Sequence, residues 1–584
     1  MERLAGAGLV RADREGIALL VVVLLTMVVA AIAAGAALIG ANSFLINQYD
    51  QRLSLLESVA DGGLELGRAR LNANPGLFPA DSGYVVLESD APVYDASGAV
   101  ITGVSRSLYA GPLGGGAGEY GSFGAVVAVS RDGDGARTVR RLDLVQSSFA
   151  AYSYFTDLEP STISFGSGDQ LYGPVHSNSN IKIRSTGATF HGPVTTAGVF
   201  EGAEYATFVG DTASGVRPIL MPTSGQFTRL RTRATPGYMA FTPSAGGTAG
   251  QSTMRIEFIA RDVDGDAALE GFIRVYESSK PEWVTANIWP GYATYDQAFR
   301  ETRNCGHYED NGRFNVTATD TAGHTASQVL NDPEPGRPRC FLGGDDRLWN
   351  GTFTPADSWG QYTAFPGSIH PSLTGQPDSA YLFPLDRDLN PGFRGVIHVD
   401  GKVVVSGTVR GRVTLSATGN IIIGDDIVYA TDPGAGTCQD VLGLFSGTQI
   451  VIADNTINAP RIAPGTSTYR TYDATRDEFI HATLLALDQI TVENPGSGST
   501  TAEPCGTTTW GRGCLNVTGG LIQATRGQVA TSSGHGYVKR YGYDTCTLQS
   551  PPPYFPTTGH FWRTRYYEVD PTGFDVAAYF RALN

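Results

Sequence analysis

The beginning of the chain constrains its fold more than any other part. No charged residue stands between Gly16 and Tyr49, and from Ile17 to Ala41 the only polar side chain is Thr26. At ~1.5 Å per residue, these 25 residues would span about 37 Å as a helix, enough to cross a bilayer with some tilt. Arg3, Arg11 and Arg14 precede the run and favour a cytoplasmic N-terminus with the remainder exported. A cleavable secretory signal would have an apolar core of only ~7–15 residues before a small-residue cleavage site. Ala33–Gly35 could supply such a site, but the helical pattern continues past it. Ile46, Tyr49, Leu53, Leu56 and Ala60 recur at spacings of three and four, with Arg52, Glu57, Asp61 and Glu65 off that stripe. One helix is therefore expected from Ile17 to about Leu71. It should end at Asn74-Pro75-Gly76, with Gly62-Gly63 as a weak point within it.

The remainder reads as β-structure. Glycine is abundant, 73 of 584 residues, without the three-residue period of collagen, and it accompanies Thr, Ser, Val and Tyr. That combination predicts many short strands joined by tight turns. The net charge of −15 and the lack of a dense Lys/Arg cluster exclude a nucleic-acid-binding body. Strand-like runs at 83–150 include a hairpin signal, Asp132-Gly133-Asp134-Gly135. From residue 170 a repeat begins: Gly173-Pro174-Val175 is echoed by Gly192-Pro193-Val194, 19 residues later. Short β-branched runs opened or closed by Gly or Asp return at Gly401, Gly411, Gly419, Gly447, Asp488 and Gly527. Stacked strands of this kind would bury a continuous Val/Ile core, as in a parallel β-helix; a two-sheet sandwich is the alternative.

Arg14-Glu15-Gly16-Ile17, followed by Ala18 to Val23, resembles the leader junction of a type IV prepilin, closest to minor pilins of the PilX type. Val59 to Glu65 is similar to a segment at the same distance along their helix. The resemblance implies that a prepilin peptidase cuts between Gly16 and Ile17, and that the helix then partners other pilins. The precursor would sit in the inner membrane before moving to the periplasm or a cell-surface filament. Pilins usually carry Glu at the fifth mature position; here it is Val21. That Glu neutralises the neighbouring subunit's N-terminal ammonium, and a subunit at the leading tip has no such neighbour. The large tip pseudopilin of type II secretion also lacks it, so the resemblance implies a rare subunit at the tip. The solenoid pieces, with Val441–Ser446 and Gly536–Asp544, look like a group of large envelope proteins with pilin-type anchors.

Catalytic and metal signals are weak. Gly424-Asp425-Asp426 and Gly534-His535-Gly536, with Lys539 and Arg540, resemble short motifs of β-helical polygalacturonases. The two motifs lie more than a hundred residues apart, and Gly424-Asp425-Asp426 also reads as an inter-strand turn. Asp262, Asp264 and Asp266, with Glu270 further on, could supply oxygen ligands to Ca²⁺, the only cofactor the sequence leaves open, but they lack EF-hand spacing, and an Asp-Gly hairpin turn accounts for them without a metal. The nine histidines form no zinc motif, and His176 and His398 read as core or turn residues. No Gly-x-Ser-x-Gly occurs. The six cysteines are even in number and lack a Cys-x-x-Cys pair, which fits export. Cys305–Cys340 and Cys505–Cys514 flank loops, leaving Cys438 for Cys546.

The expected organisation is a leader at 1–16, a transmembrane and amphipathic stalk helix at 17–75, and a β-rich domain at 76–165. First solenoid coils with an irregular insert follow at 166–390, then a β-solenoid at 391–545 and a C-terminal cap at 546–584. The expected function is a non-enzymatic, structural or adhesive minor pilin, with a surface glycan or protein as ligand. The alternatives are an envelope-anchored β-helical carbohydrate-active enzyme and a membrane scaffold that never enters filaments.

Overall fold

The computed structural model describes residues 12–79, 83–113, 123–166, 169–244, 252–278, 307–309, 313–315, 348–349, 352–353, 360–376, 378–453, 478–493, 495–496, 505, 513–531 and 534–583. The protein is mainly β, with one long N-terminal helix. It divides into two compact units. The first comprises Met1–Leu113, Gly124–Leu144 and Arg563–Asn584; the second comprises Gly114–Phe123 and Val145–Trp562.

In the first unit, helix α1 runs from Ala12 to Ala73. It stops where Pro75 disfavours helical backbone at the residue before it, and Asn74 sits at φ −141° and ψ 87°. The stripe Leu56, Val59, Ala60, Leu64 and Leu71 is buried. It faces a five-stranded sheet of β1 (Val85–Tyr94), β2 (Val100–Pro112), β3 (Phe123–Asp132), β4 (Arg137–Ser148) and the C-terminal strand Thr557–Val569, in that order. β2 pairs antiparallel with both β1 and β3. The turn after β3 closes with Asp132 N–H bonded to Ala136 O at 3.0 Å, and Gly135 takes the left-handed φ of +92°. Ser130 Oγ donates to Leu56 O at 2.7 Å, tying β3 to α1.

α1 passes through Gly62-Gly63 unbroken. A Cβ on Gly63 would lie 2.5 Å from Arg106 Cδ, and one on Gly67 would lie 2.6 Å from Val126 Cγ1. These glycines let helix and sheet approach closely, and the apolar packing that this allows offsets the ~1 kcal/mol that each glycine costs a helix. On the sheet, Ala125, Val127, Val129 and Val139 also form a core with Phe580 of the C-terminal helix Val576–Leu583.

The second unit is built on parallel ladders. In the longest, the neighbours run Ala240–Phe241, Val396–Val399, Arg412–Ala417, Val441–Ser446, Glu478–Ala486, Cys514–Thr525, Tyr154–Leu158, Val175–Ser177, Val194–Thr196 and Thr212–Ser214. A second runs Met254–Arg261, Val403–Val409, Ile421–Tyr429, Ile450–Ile452 and Ile490–Val492. A third continues from Cys514–Thr525 through Val538–Gly542, Asp169–Leu171 and Ala188–Phe190 to Ala206–Phe208. The 19-residue repeat is one step of such a ladder: Val175 lies in register with Val194, and Tyr154 with Val175. Gly192 stacks on Gly173 so tightly that a Cβ would lie 2.2 Å from Gly173 O. Inward Val, Ile, Leu and Phe side chains form one continuous core along the ladders. Helix α2 (Gln226–Ala234) adds Phe227, Leu230 and Ala234 to it, with the Phe227 and Phe445 rings 4.5 Å apart.

Candidate functional site

Two features stand out, one in each unit. The first is the bare half of α1. Ile17, Leu20, Leu24, Met27, Ile32, Ile39, Phe44 and Tyr49 are each more than half exposed, and burial begins only beyond Tyr49. The expected stripe therefore packs at Leu56 and Ala60, whereas Ile46 and Tyr49 do not. The cause is geometric, because the sheet reaches only the later turns of the helix. By length and composition α1 can cross a membrane, and none of its most apolar stretch is buried.

The charged side chains off the stripe hold the second half of α1 in place. Arg52 pairs with Asp132, and with Asp134 at 2.7 Å. Arg140 of β4 pairs with Glu57 at 3.0 Å. Glu65 accepts from Tyr566 Oη at 2.5 Å and from Arg563 at 3.3 Å, and the Tyr566 hydroxyl holds its carboxyl below the usual range.

The second feature is a cavity of about 680 Å³ in the second unit, the β-body, where the rungs Cys514–Thr525 and Val538–Gly542 meet Tyr154–Leu158 and Asp169–Leu171. Buried Arg526 donates to Glu159 at 3.0 Å, and its guanidinium lies 3.9 Å from the Phe165 ring centroid. Glu159 also accepts from Tyr154 Oη at 2.8 Å and Thr156 Oγ1 at 2.7 Å. Lys539 Nζ pairs with Asp169 at 3.3 Å. Burial lowers the Lys539 pKa, partly opposed by Asp169, and raises that of Tyr541. No sequence motif points to this cluster, since Arg526 and Glu159 are 367 residues apart. The one sign of it in the sequence is the Lys539-Arg540 pair beside Gly534-His535-Gly536, and Asp426 of the acidic motif suggested there is not the partner it meets. The cavity is lined by Asp169, and Asp426 does not line it.

Gly424-Asp425-Asp426 is not a turn but an irregularity inside the strand Ile421–Tyr429, where the pairing with Val403–Val409 shifts register. Asp426 accepts from Phe479 N–H at 2.7 Å across the ladder. Of the turn carboxylates, Asp262, Asp264 and Glu270 lie with ligand oxygens within 4.8 Å of one another; Asp266 is not in that group and accepts from Ala268 N–H instead. Three such oxygens could hold a hard cation. The backbone already engages them, for Asp262 accepts from Gly265 and Ala267 and Glu270 accepts from Val263. Burial, then the charges of Asp264 and Asp266, raises the Glu270 pKa.

His176 and His398 are buried and hydrogen-bonded. His398 lies between Ser416 Oγ at 2.9 Å and Asp400 Oδ1 at 3.0 Å, an order similar to a nucleophile relay. Ser416 is fully buried, however, so no substrate could reach it. Burial lowers the pKa of both imidazoles. Disulfides join Cys438 to Cys546 and Cys505 to Cys514. Cys305 and Cys340 lie outside the described residues. Gly16 and Ile17 fall within α1, with Ile17 exposed.

No known family model matches this chain, and no curated protein matches it. Among solved structures it is similar to the competence-associated pilin ComZ from Thermus thermophilus, at 12% identity over 83% of this chain and 87% of that one. The TM-score is 0.24, too low for the likeness to carry an assignment.

Proposed function

We propose that this chain is a pilin-like, non-enzymatic subunit that enters a type IV pilus or related filament through α1 and presents the β-body as a structural or adhesive surface. The observation that carries this reading is the division of α1. Its first half is apolar and unpartnered, while its second half is fixed to a sheet by Leu56, Ala60, Leu64 and the two close-packed glycines. A helix anchored at one end and bare at the other can reside in a bilayer and then exchange lipid for the apolar helices of other subunits. The stacked ladders are read as a parallel β-solenoid, extending one core over many short rungs.

Processing tests the leader. The mature protein is expected to begin at Ile17, and Gly16→Val is expected to abolish cutting, because a bulky residue replaces the small one at the cleavage point. Intact-mass measurement on envelope fractions decides this; a mature start near Ser43, or an uncut chain, would refute the pilin reading. Position in the filament is a separate matter. About 500 residues follow the helix, and as a compact globule they would have a radius of gyration near ~23 Å, too bulky for every subunit of a thin filament. The protein is therefore read as a rare tip subunit. Immunogold labelling of sheared filaments is expected to mark one end only. Regular label along the shaft would overturn the tip assignment, and the complete absence of label from filaments would favour a membrane scaffold.

A further inference from the structure

The β-body cavity carries an excess of positive charge among its described residues. Among the described residues, Arg184, Arg526, Lys539 and Arg540 line it, against the one lining carboxylate Asp169. Even with Glu159 counted behind Arg526, four cations face two carboxylates, in a chain whose net charge is −15. The inner cations are paired, Arg526 with Glu159 and Lys539 with Asp169. The outer ones are exposed, and neither has a carboxylate partner among the described residues. Arg540 donates to the Lys539 carbonyl at 2.9 Å, and Arg184 makes no ion pair among the described residues.

We propose that this cavity binds an anionic saccharide, a hydroxyl-bearing ring that carries carboxylate or phosphate. Arg184 and Arg540 would take the acidic group at the rim through charge-assisted hydrogen bonds. Thr162, Ser164, Gln528 and Thr531 supply polar lining suited to ring hydroxyls, and the volume lies within the ~300–1,000 Å³ of small-ligand sites. The chemistry favours holding over cleaving. Glycoside hydrolysis by general acid and base needs two carboxyls facing the bond. Here Asp169 is fixed by Lys539, and Glu159 is occupied by Arg526, Tyr154 and Thr156. This inference does not depend on filament entry.

The test is calorimetric titration of the full-length protein in detergent micelles with four probes: a tri-uronate, a sugar phosphate, a neutral trisaccharide and inorganic phosphate. The two anionic sugars are expected to bind, more weakly as salt rises, and the neutral one is not. Which anionic sugar binds more tightly tells carboxylate from phosphate recognition. Arg184→Ala and Arg540→Ala are each expected to weaken binding about tenfold, the loss of one charge-assisted hydrogen bond. Both side chains are exposed, and an unchanged unfolding profile would show that the fold is kept. Equal binding of the neutral sugar, no binding of any sugar, or indifference to both substitutions would overturn the proposal. Inorganic phosphate binding as tightly as the sugars would reduce the site to a simple anion hole and overturn it as well.

Discussion

Glu159→Ala is expected to destabilise the β-body by about 3–5 kcal/mol, the usual cost of breaking a buried ion pair by removing one partner. The Glu159 and Arg526 side chains are 1% and 5% exposed. Without the carboxylate, Arg526 would remain a cation among the Phe165 and Tyr154 rings, with its strongest acceptor gone. Tyr154 would lose the acceptor of its hydroxyl as well, while Thr156 would keep Ser177 Oγ at 3.1 Å. Glu159→Gln keeps an acceptor for those hydroxyls while removing the charge, so it should cost less than alanine. Scanning calorimetry on the full-length protein reads both variants. An E159A transition at the wild-type temperature would mean that Arg526 escapes to solvent, and that the cluster does not hold the rungs together.

The second large effect belongs to the disulfides, and the two should differ. Cys438–Cys546 spans a sequence separation of 108, and Cys505–Cys514 one of 9. In the chain-entropy model, closing loops of these sizes is worth about 5 and about 3 kcal/mol, respectively. The longer loop contains the rungs Val441–Ser446, Glu478–Ala486 and Cys514–Thr525, so its closure restricts much of the unfolded body. The C438A/C546A double variant should therefore melt below C505A/C514A, by a few degrees, each compared with wild type without reductant. Equal losses, or a larger loss from the short loop, would contradict the entropic account.

Much of the first unit could be read from the sequence because its signals are local. The uncharged run, the spacing of Leu53, Leu56 and Ala60, and Pro75 after Asn74 specify a long helix and where it ends. The Asp-Gly pairs place the turn after β3. The 19-residue spacing of Gly173 and Gly192 gives the step of the ladder, because each repeat must supply one rung in register. What local pattern could not give is the role of Gly63 and Gly67. A glycine on a helix reads as weakness until a sheet is seen to need the space.

The candidate cavity was hidden for a different reason. Ladder neighbours are not sequence neighbours: Cys514–Thr525 pairs with Tyr154–Leu158, so the last rungs lie beside the first, while Ala240–Phe241 lies at the far end. That order brings Glu159 to Arg526 and Asp169 to Lys539 across some 370 residues, and it takes Lys539 to Asp169 rather than to Asp426. Likewise, Thr557–Val569 joins the sheet beside β4, although nothing in its sequence names that partner. The sequence by itself determined what depends on periodicity and composition: a membrane-length apolar helix, a β-rich body, and short rungs with inward Val and Ile. Only the tertiary structure decided which rungs meet and where the buried charges converge. Backbone pairing accepts almost any β-strand as a neighbour, and the choice among them rests on packing and charge summed over the whole body.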